Sequence, residues 1–232
     1  MDKSNILLYA KEIYDDNGIT DDDMKANKLA ILFINYNCNG KLGQPVINDG
    51  ALYANNLNYF GYKCFFISNT TKTNAMKIII KLISSKGKDI VFFYSGHGDY
   101  VQDMDGDEDD CVDEAFSFQD NEYLIDDEFR DMVNTYLECN KFICISNTCH
   151  SGTIYDVERI NEDKRKRMIC VSSCKDEQWS FQLKKNGLFS LQFWFCFDRN
   201  TKTLDIDKLN SRLKRWEQEV IIYPPNTTFI DF

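Results

Sequence analysis

Proline and histidine are scarce in this chain of 232 residues, which holds three prolines and two histidines. With so little proline and no Pro/Gly/Ser-rich stretch, nothing marks a linker between domains. No apolar run approaches 18 residues, so no segment is expected to cross a membrane. There is no CxxC pair, and two histidines give no basis for a structural zinc site. No GxGxxG follows the first apolar run, which argues against a dinucleotide site. Basic side chains are outnumbered 27 to 37, leaving a net charge of −10 and a pI of about 4.7. A surface of that sign does not grip nucleic acid through its phosphates. No signal-peptide pattern opens the sequence, so the nine cysteines are expected as reduced, mostly buried thiols in a cytoplasmic protein.

What the chain does have is core-forming material: 43 % hydrophobic and 14 % aromatic residues, which excludes a disordered chain. Five runs of strand length, 29–35, 62–68, 89–95, 141–146 and 168–172, are apolar at successive positions. Parallel strands covered on both faces read this way. Helical segments are expected over 45–59, 73–84, 126–137, 188–197 and 204–219, and a last strand within 226–231. Strand alternating with helix predicts one doubly wound α/β domain over 28–232, with residues 1–27 as a polar N-terminal extension.

In an open parallel sheet, ligands bind beyond the carboxyl ends of the strands. The third run leads into Tyr94-Ser95-Gly96-His97-Gly98 and the fourth into Asn147-Thr148-Cys149-His150-Ser151-Gly152. A cysteine nucleophile needs a base within reach. His150 adjoins Cys149 in the chain and points elsewhere, whereas His97 arrives from the neighbouring loop. His97 is therefore the candidate base and Cys149 the candidate nucleophile, with backbone N–H groups of Gly98 and Cys149 for an oxyanion. Residues 103–114 carry eight acidic side chains and no basic one. Their spacing fails the EF-hand pattern. Further carboxylates follow at Asp126, Asp127 and Asp156, and such a gathering repels itself unless a hard cation joins it.

YSGHG at 94–98 and TCHSG at 148–152 resemble the histidine and cysteine boxes of metacaspases, in the caspase-like cysteine protease clan. Further likeness lies in Leu29–Tyr36, in Ile47-Asn48-Asp49, in Asp103–Glu114 with Leu124–Glu128, and in Ser173–Gln178. The resemblance covers about 28–232. It implies a caspase-like three-layer α/β sandwich with a mostly parallel sheet of about six strands, a large-subunit-like part at 28–163 and a small-subunit-like part at 168–232. It also implies a monomeric, calcium-activated endopeptidase acting on peptides and proteins after Arg or Lys. Calcium (Ca2+) ligands map onto Asp113, Asp126, Asp127 and Asp156. The pocket for the basic residue maps onto Asp49, Ser95 and Asn147.

Two positions depart from the family pattern. Asn147 stands where an aspartate is usual, and Val46 where a cysteine is usual. The pocket thus keeps one of two expected carboxylates, and losing a charge-assisted contact costs about 1.5–3 kcal/mol. A catalytically silent, metacaspase-like binding or regulatory module is the alternative that this departure raises. A compact form without a long prodomain is expected. The basic run Lys164-Arg165-Lys166-Arg167, in the connection between the two parts, is a candidate autocleavage site for an enzyme of this specificity.

Overall fold

A computed structural model of the chain describes residues 1–37, 42–103, 106 and 111–232. Half of the acidic stretch, 104–105 and 107–110, and Cys38 therefore lie outside the described residues. The chain begins with a helical turn α1 (Ser4–Leu7) and a short strand β1 (Ala10–Glu12). Then come β2 (Lys28–Ile34), α2 (Gln44–Tyr59), β3 (Lys63–Ser68), α3 (Lys72–Ile83) and β4 (Asp89–Ser95). A small excursion follows as β5 (Gly98–Gln102), β6 (Val112–Ser117) and β7 (Tyr123–Ile125). The second half runs α4 (Asp126–Tyr136), β8 (Lys141–Asn147), α5 (Glu162–Arg165) and β9 (Met168–Ser172). It closes with α6 (Leu188–Phe195), β10 (Phe197–Asp198), β11 (Thr203–Asp205), α7 (Ile206–Leu213), β12 (Ile221–Tyr223) and β13 (Phe229–Asp231).

The main sheet has seven strands in the order β1-β3-β2-β4-β8-β9-β12, all parallel except β12, which runs antiparallel to β9. Alternation along each strand sends side chains to opposite faces. In β2, Ala30, Leu32 and Ile34 join one core with α2, α6 and α7, while Leu29, Ile31 and Phe33 join a second core with α3 and α4. Residues apolar at every position thus fill two cores at once, and three layers result. The helix starts follow local chemistry. Pro45 sits in the first turn of α2, and the Thr71 hydroxyl caps α3 by accepting from the Asn74 amide (3.3 Å). The Glu128 carboxylate reaches back to the Ile125 amide (3.3 Å) at the start of α4.

Three expectations are corrected. Residues 1–27 are not an extension outside the domain: β1 pairs parallel with β3 as the sheet's edge, and Ile6, Ala10, Ile13 and Ile19 are buried. Their apolar residues are too few and too spread to show in a window average, yet each fills a place in a core. The expected helix 204–219 is shorter, because Asp205 caps α7 by accepting from the Lys208 amide (2.9 Å) and Glu217 turns left-handed. The last strand lies in a separate antiparallel sheet, β10-β11-β13, so the seven-strand count comes from β1 and β12. Among the described residues no helix is long and apolar enough to cross a membrane. All described cysteines are free; Cys111 is exposed, against the expectation of burial.

Candidate active site

The register of β4 and β8 sets the site. Ser95 pairs with Asn147, so His97 and Cys149, each two residues further on, leave the sheet at the same level. They line one cleft of about 230 Å3, together with Asp49, Ser95 and Asn147 and with Trp179 to Gln182 opposite. The cleft lies beside the point where the chain order reverses between β2 and β4, where open α/β sheets bind ligands.

Each loop is held by its own contacts. The Tyr94 hydroxyl donates to the carbonyls of His97 (2.8 Å) and Ser117 (2.7 Å), and the Ser117 amide donates to the His97 carbonyl (3.1 Å). At Gly98 a Cβ would stand 2.1 Å from the Cys149 carbonyl oxygen, so only glycine lets the two loops touch there. The Cys149 Sγ accepts from the Ser180 amide (3.4 Å). Burial raises the thiol's pKa above its ordinary value, partly offset by that amide. Burial thus favours the neutral thiol, and a reaction through it needs a base. His150, with left-handed backbone, turns away from the cleft, its ring 4.4 Å from that of Tyr100 and 5.3 Å from that of Trp179. Its Nδ1 and the Tyr100 hydroxyl both meet the Asp176 carbonyl.

Asp49, on α2, is 1 % exposed. Its Oδ1 accepts from Asn186 Nδ2 (2.9 Å) and the Gly187 amide (3.0 Å), and its Oδ2 accepts from Asn147 Nδ2 (2.9 Å) and again from Gly187 (3.0 Å). Burial pushes the carboxyl up to about 7 despite these donors. Asn147 also donates to Ser190 Oγ (3.0 Å), and its Oδ1 accepts from Ser180 Oγ (3.0 Å). Gly187 seals the arrangement, since a Cβ there would lie 2.6 Å from Asn147 Nδ2. The sequence reading missed Ser180, Asn186, Gly187 and Ser190. They come from the connection after β9 and from α6, and no local pattern tied them to Asp49.

The carboxylates at the other end of β7 are partly occupied. Arg130, one turn into α4, binds Asp127 (2.5 Å) and Asp156 (2.8 Å), and Arg159 lies 3.8 Å from Asp156. Asp126 is buried, and burial, with Glu114, Asp113 and Asp127 nearby, pushes it up to about 8. Asp113 is buried as well. Among the described residues, no three acidic, histidine or cysteine side chains converge where a metal ion would sit. The four mapped carboxylates are thus neighbours, but as arranged they do not fit a metal ion, because the guanidinium of Arg130 stands between two of them. Lys164–Arg167 also differs from the open loop expected. Lys164 and Arg165 end the helical turn α5; the Lys164 ammonium donates to the Leu137 carbonyl (2.7 Å), and Lys166 pairs with Glu162 (2.6 Å).

Comparison with known proteins completes the placement. Residues 27–223 match the model of the caspase domain. The chain is 38 % identical over 99 residues to Metacaspase-1A of Aspergillus oryzae, a stretch covering 40 % of this chain and 24 % of that protein. It is 36 % identical over 100 residues to Metacaspase-1 of Ajellomyces capsulatus, covering 40 % and 28 %. The aligned stretch is therefore about a quarter of the length of these relatives. A crystal structure of protein GSU0716 from Geobacter sulfurreducens superposes with a TM-score of 0.62 over 88 % of this chain and 92 % of that one, at 21 % identity, a likeness of fold. By the caspase-domain match over most of its length, by its metacaspase relatives and by its helix-flanked, mostly parallel sheet, this chain belongs to the caspase-domain family of cysteine proteases, among the metacaspases.

Proposed function

We propose that the chain is a cysteine endopeptidase cutting after Arg or Lys, with His97 as base and Cys149 as nucleophile. The observation that carries this is the β4–β8 register, which sets the two residues level in one cleft. His97 takes the thiol proton as sulfur attacks the scissile carbonyl carbon. The Gly98 and Cys149 amides face the oxyanion. The C–N bond breaks as the proton passes from His97 to the departing amine, and water then hydrolyses the thioester.

Basic specificity draws support from Asp49, the one buried carboxylate among the described residues that line the cleft, with Ser95 and Asn147 beside it. A substrate cation there must displace Asn147 or Asn186 from it. Calcium activation is proposed from the mapped set Asp113, Asp126, Asp127 and Asp156. No step is routed through the metal, because Arg130 would first have to leave Asp127 and Asp156. In this reading the large-subunit-like part, 28–163, and the small-subunit-like part, 168–232, share one sheet. The sealed state of Asp49 favours a second reading, a silent binding module. Hydrolysis of Arg-, Lys- and Asp-terminated fluorogenic peptides, with calcium and with chelator, decides between them. Cys149→Ala and His97→Ala are expected to abolish cleavage, and His150→Ala to retain much of it. Equal loss from His150→Ala with none from His97→Ala would overturn the assignment, and no hydrolysis under any condition would favour the silent module.

A further inference from the structure

Charge is unevenly placed in this acidic chain. Residues 199–215 hold six basic and two acidic side chains, although the whole carries −10. Among the described residues, none of the six basic ones forms an ion pair. Of the nearby acids, Asp205 caps α7, and Asp198 accepts from the Asn200 amide (2.8 Å). Three of the cations stand on exposed rings. The Arg212 guanidinium lies 3.9 Å and the Lys208 ammonium 5.4 Å from the centre of the Phe195 ring, and the Arg199 guanidinium 5.5 Å from that of Tyr59. Phe195 is 59 % and Tyr59 62 % exposed. A hollow lined by Arg199, Thr201, Lys208 and Phe229 joins the two stacks, so they form one face. Lys208 and Arg212, one turn apart, share a side of α7. Cations held on rings lose little freedom when they meet an anion. Exposed aromatic surface with unpaired charge of one sign is a docking face for the opposite sign.

The face lies where the strands of the main sheet begin. Tyr59 ends α2, whose first half carries Asp49 at the cleft. The Lys141 ammonium, at the start of β8, donates to the carbonyl of Asp231 in β13 (2.6 Å), the strand that carries Phe229. At the other end of the sheet β4 leads into the hairpin β5–β6, which the Asp103 amide closes on the Cys111 carbonyl (3.1 Å). Gln102, Gly106 and Cys111 are exposed. The connection of this hairpin, 103–110, has six acidic side chains and no basic one. Its charge complements the face, and it is anchored at the opposite end of the sheet, so the two have to meet between molecules.

We propose that the face built on Phe195, Lys208 and Arg212 docks the acidic segment 103–110 of a second copy of this chain, head to tail. Each copy offers one segment and one face, so the contact does not close on itself and copies add in a row. Exposed charges attract weakly and salt screens them, so the association is reversible. The contact goes beyond the peptidase reading and stands whether or not Cys149 cuts peptides.

The test is sedimentation velocity on full-length Cys149→Ala in chelator at rising concentration. The mean sedimentation coefficient should rise with concentration at low salt and return to the monomer value at high salt. An excess of synthetic peptide 103–110 should also return it to the monomer value, whereas the same peptide with Asn and Gln for its acids should not. Two variants in that background are then mixed. Lys208→Glu with Arg212→Glu keeps the segment and loses the face. Asp105→Asn, Asp107→Asn, Glu108→Gln and Asp109→Asn together keep the face and lose the segment. Each alone should associate about tenfold more weakly or worse. Mixed, they should give a dimer and nothing larger, because one intact segment meets one intact face. Monomer under every condition overturns the proposal. So does association that survives either set of substitutions, that the acidic peptide leaves unchanged, or that mixing the variants does not restore. Binding of the face to phosphatidylserine vesicles by a chain that stays monomeric would assign it to a lipid surface and overturn the proposal as well.

Discussion

Asp49 is a carboxyl held in low dielectric by neutral donors, so its charge is tied to pH. Its native pKa, about 7, is above the ordinary 3.8. Between those values the native state binds more protons than the unfolded chain, so stability falls as pH rises through that window. Asp49→Asn is therefore expected to flatten the dependence of Tm on pH between about 4 and 7, an effect on the order of a few kcal/mol, read by thermal unfolding across that range. A substrate guanidinium acts in the opposite direction, because a cation beside Asp49 favours its ionised form. The ratio of kcat/KM for an Arg peptide to that for a neutral one should then climb as pH rises through 7. A ratio flat in pH would show that the substrate cation does not meet Asp49.

At the start of α4, three acids occupy the first turn, and Arg130 arrives one turn later to neutralise two carboxylates, Asp127 beside it and Asp156 from the loop beyond β8. The element thus carries its own cation. Calcium and this guanidinium compete for the same oxygens, which argues for weak binding. Arg130→Gln is expected to tighten calcium binding about tenfold, measured by calorimetry on Cys149→Ala to prevent self-digestion. The same variant should lose about 1.5–3 kcal/mol in chelator, since Asp127 and Asp156 are left facing each other, and should recover much of that with calcium. Unchanged affinity would show that Arg130 does not block the metal.

Across the whole molecule, the basic run and the nucleophile lie at opposite ends of the sheet. The Arg167 carbonyl accepts from the amide of Phe142, near the start of β8, while Cys149 follows the end of that strand. At about 3.3 Å per residue the two ends are roughly 20 Å apart. One molecule cannot bring its own run to its own cleft without unfolding, so cutting within 164–167 has to occur between molecules. It also has to wait for α5 to unwind, because a helical turn tied to neighbouring carbonyls is no extended substrate. Calcium-triggered cutting, followed by mass spectrometry, should therefore be slow, and its initial rate should rise with the square of protein concentration. Cys149→Ala should be cut when wild type is added in trace amounts. A rate strictly proportional to concentration, with no cutting of the variant, would indicate cutting within one molecule.

The local chemistry of the chain determined the alternation of strand and helix. Runs such as 90–94 and 168–171 are apolar at successive positions because both faces are covered, and that is visible residue by residue. His97 and Cys149 were legible too, since small residues surround each at the end of such a run. Pairing across long sequence separations decided the rest. Ile6, Ala10, Ile13 and Ile19 look like scattered apolar residues in a polar stretch until β3 offers an open edge for β1. Arg130 reads as an ordinary helix residue until Asp156, 26 positions on, is folded against it. Asp49 reads as an open anchor for a cation, but Asn186 and Gly187 close over it from a segment 137 and 138 residues away. Composition and period act between near neighbours and so specify elements. The occupancy of a carboxylate depends on which distant donors the packed layers bring within about 3 Å, and that is a property of the tertiary structure alone.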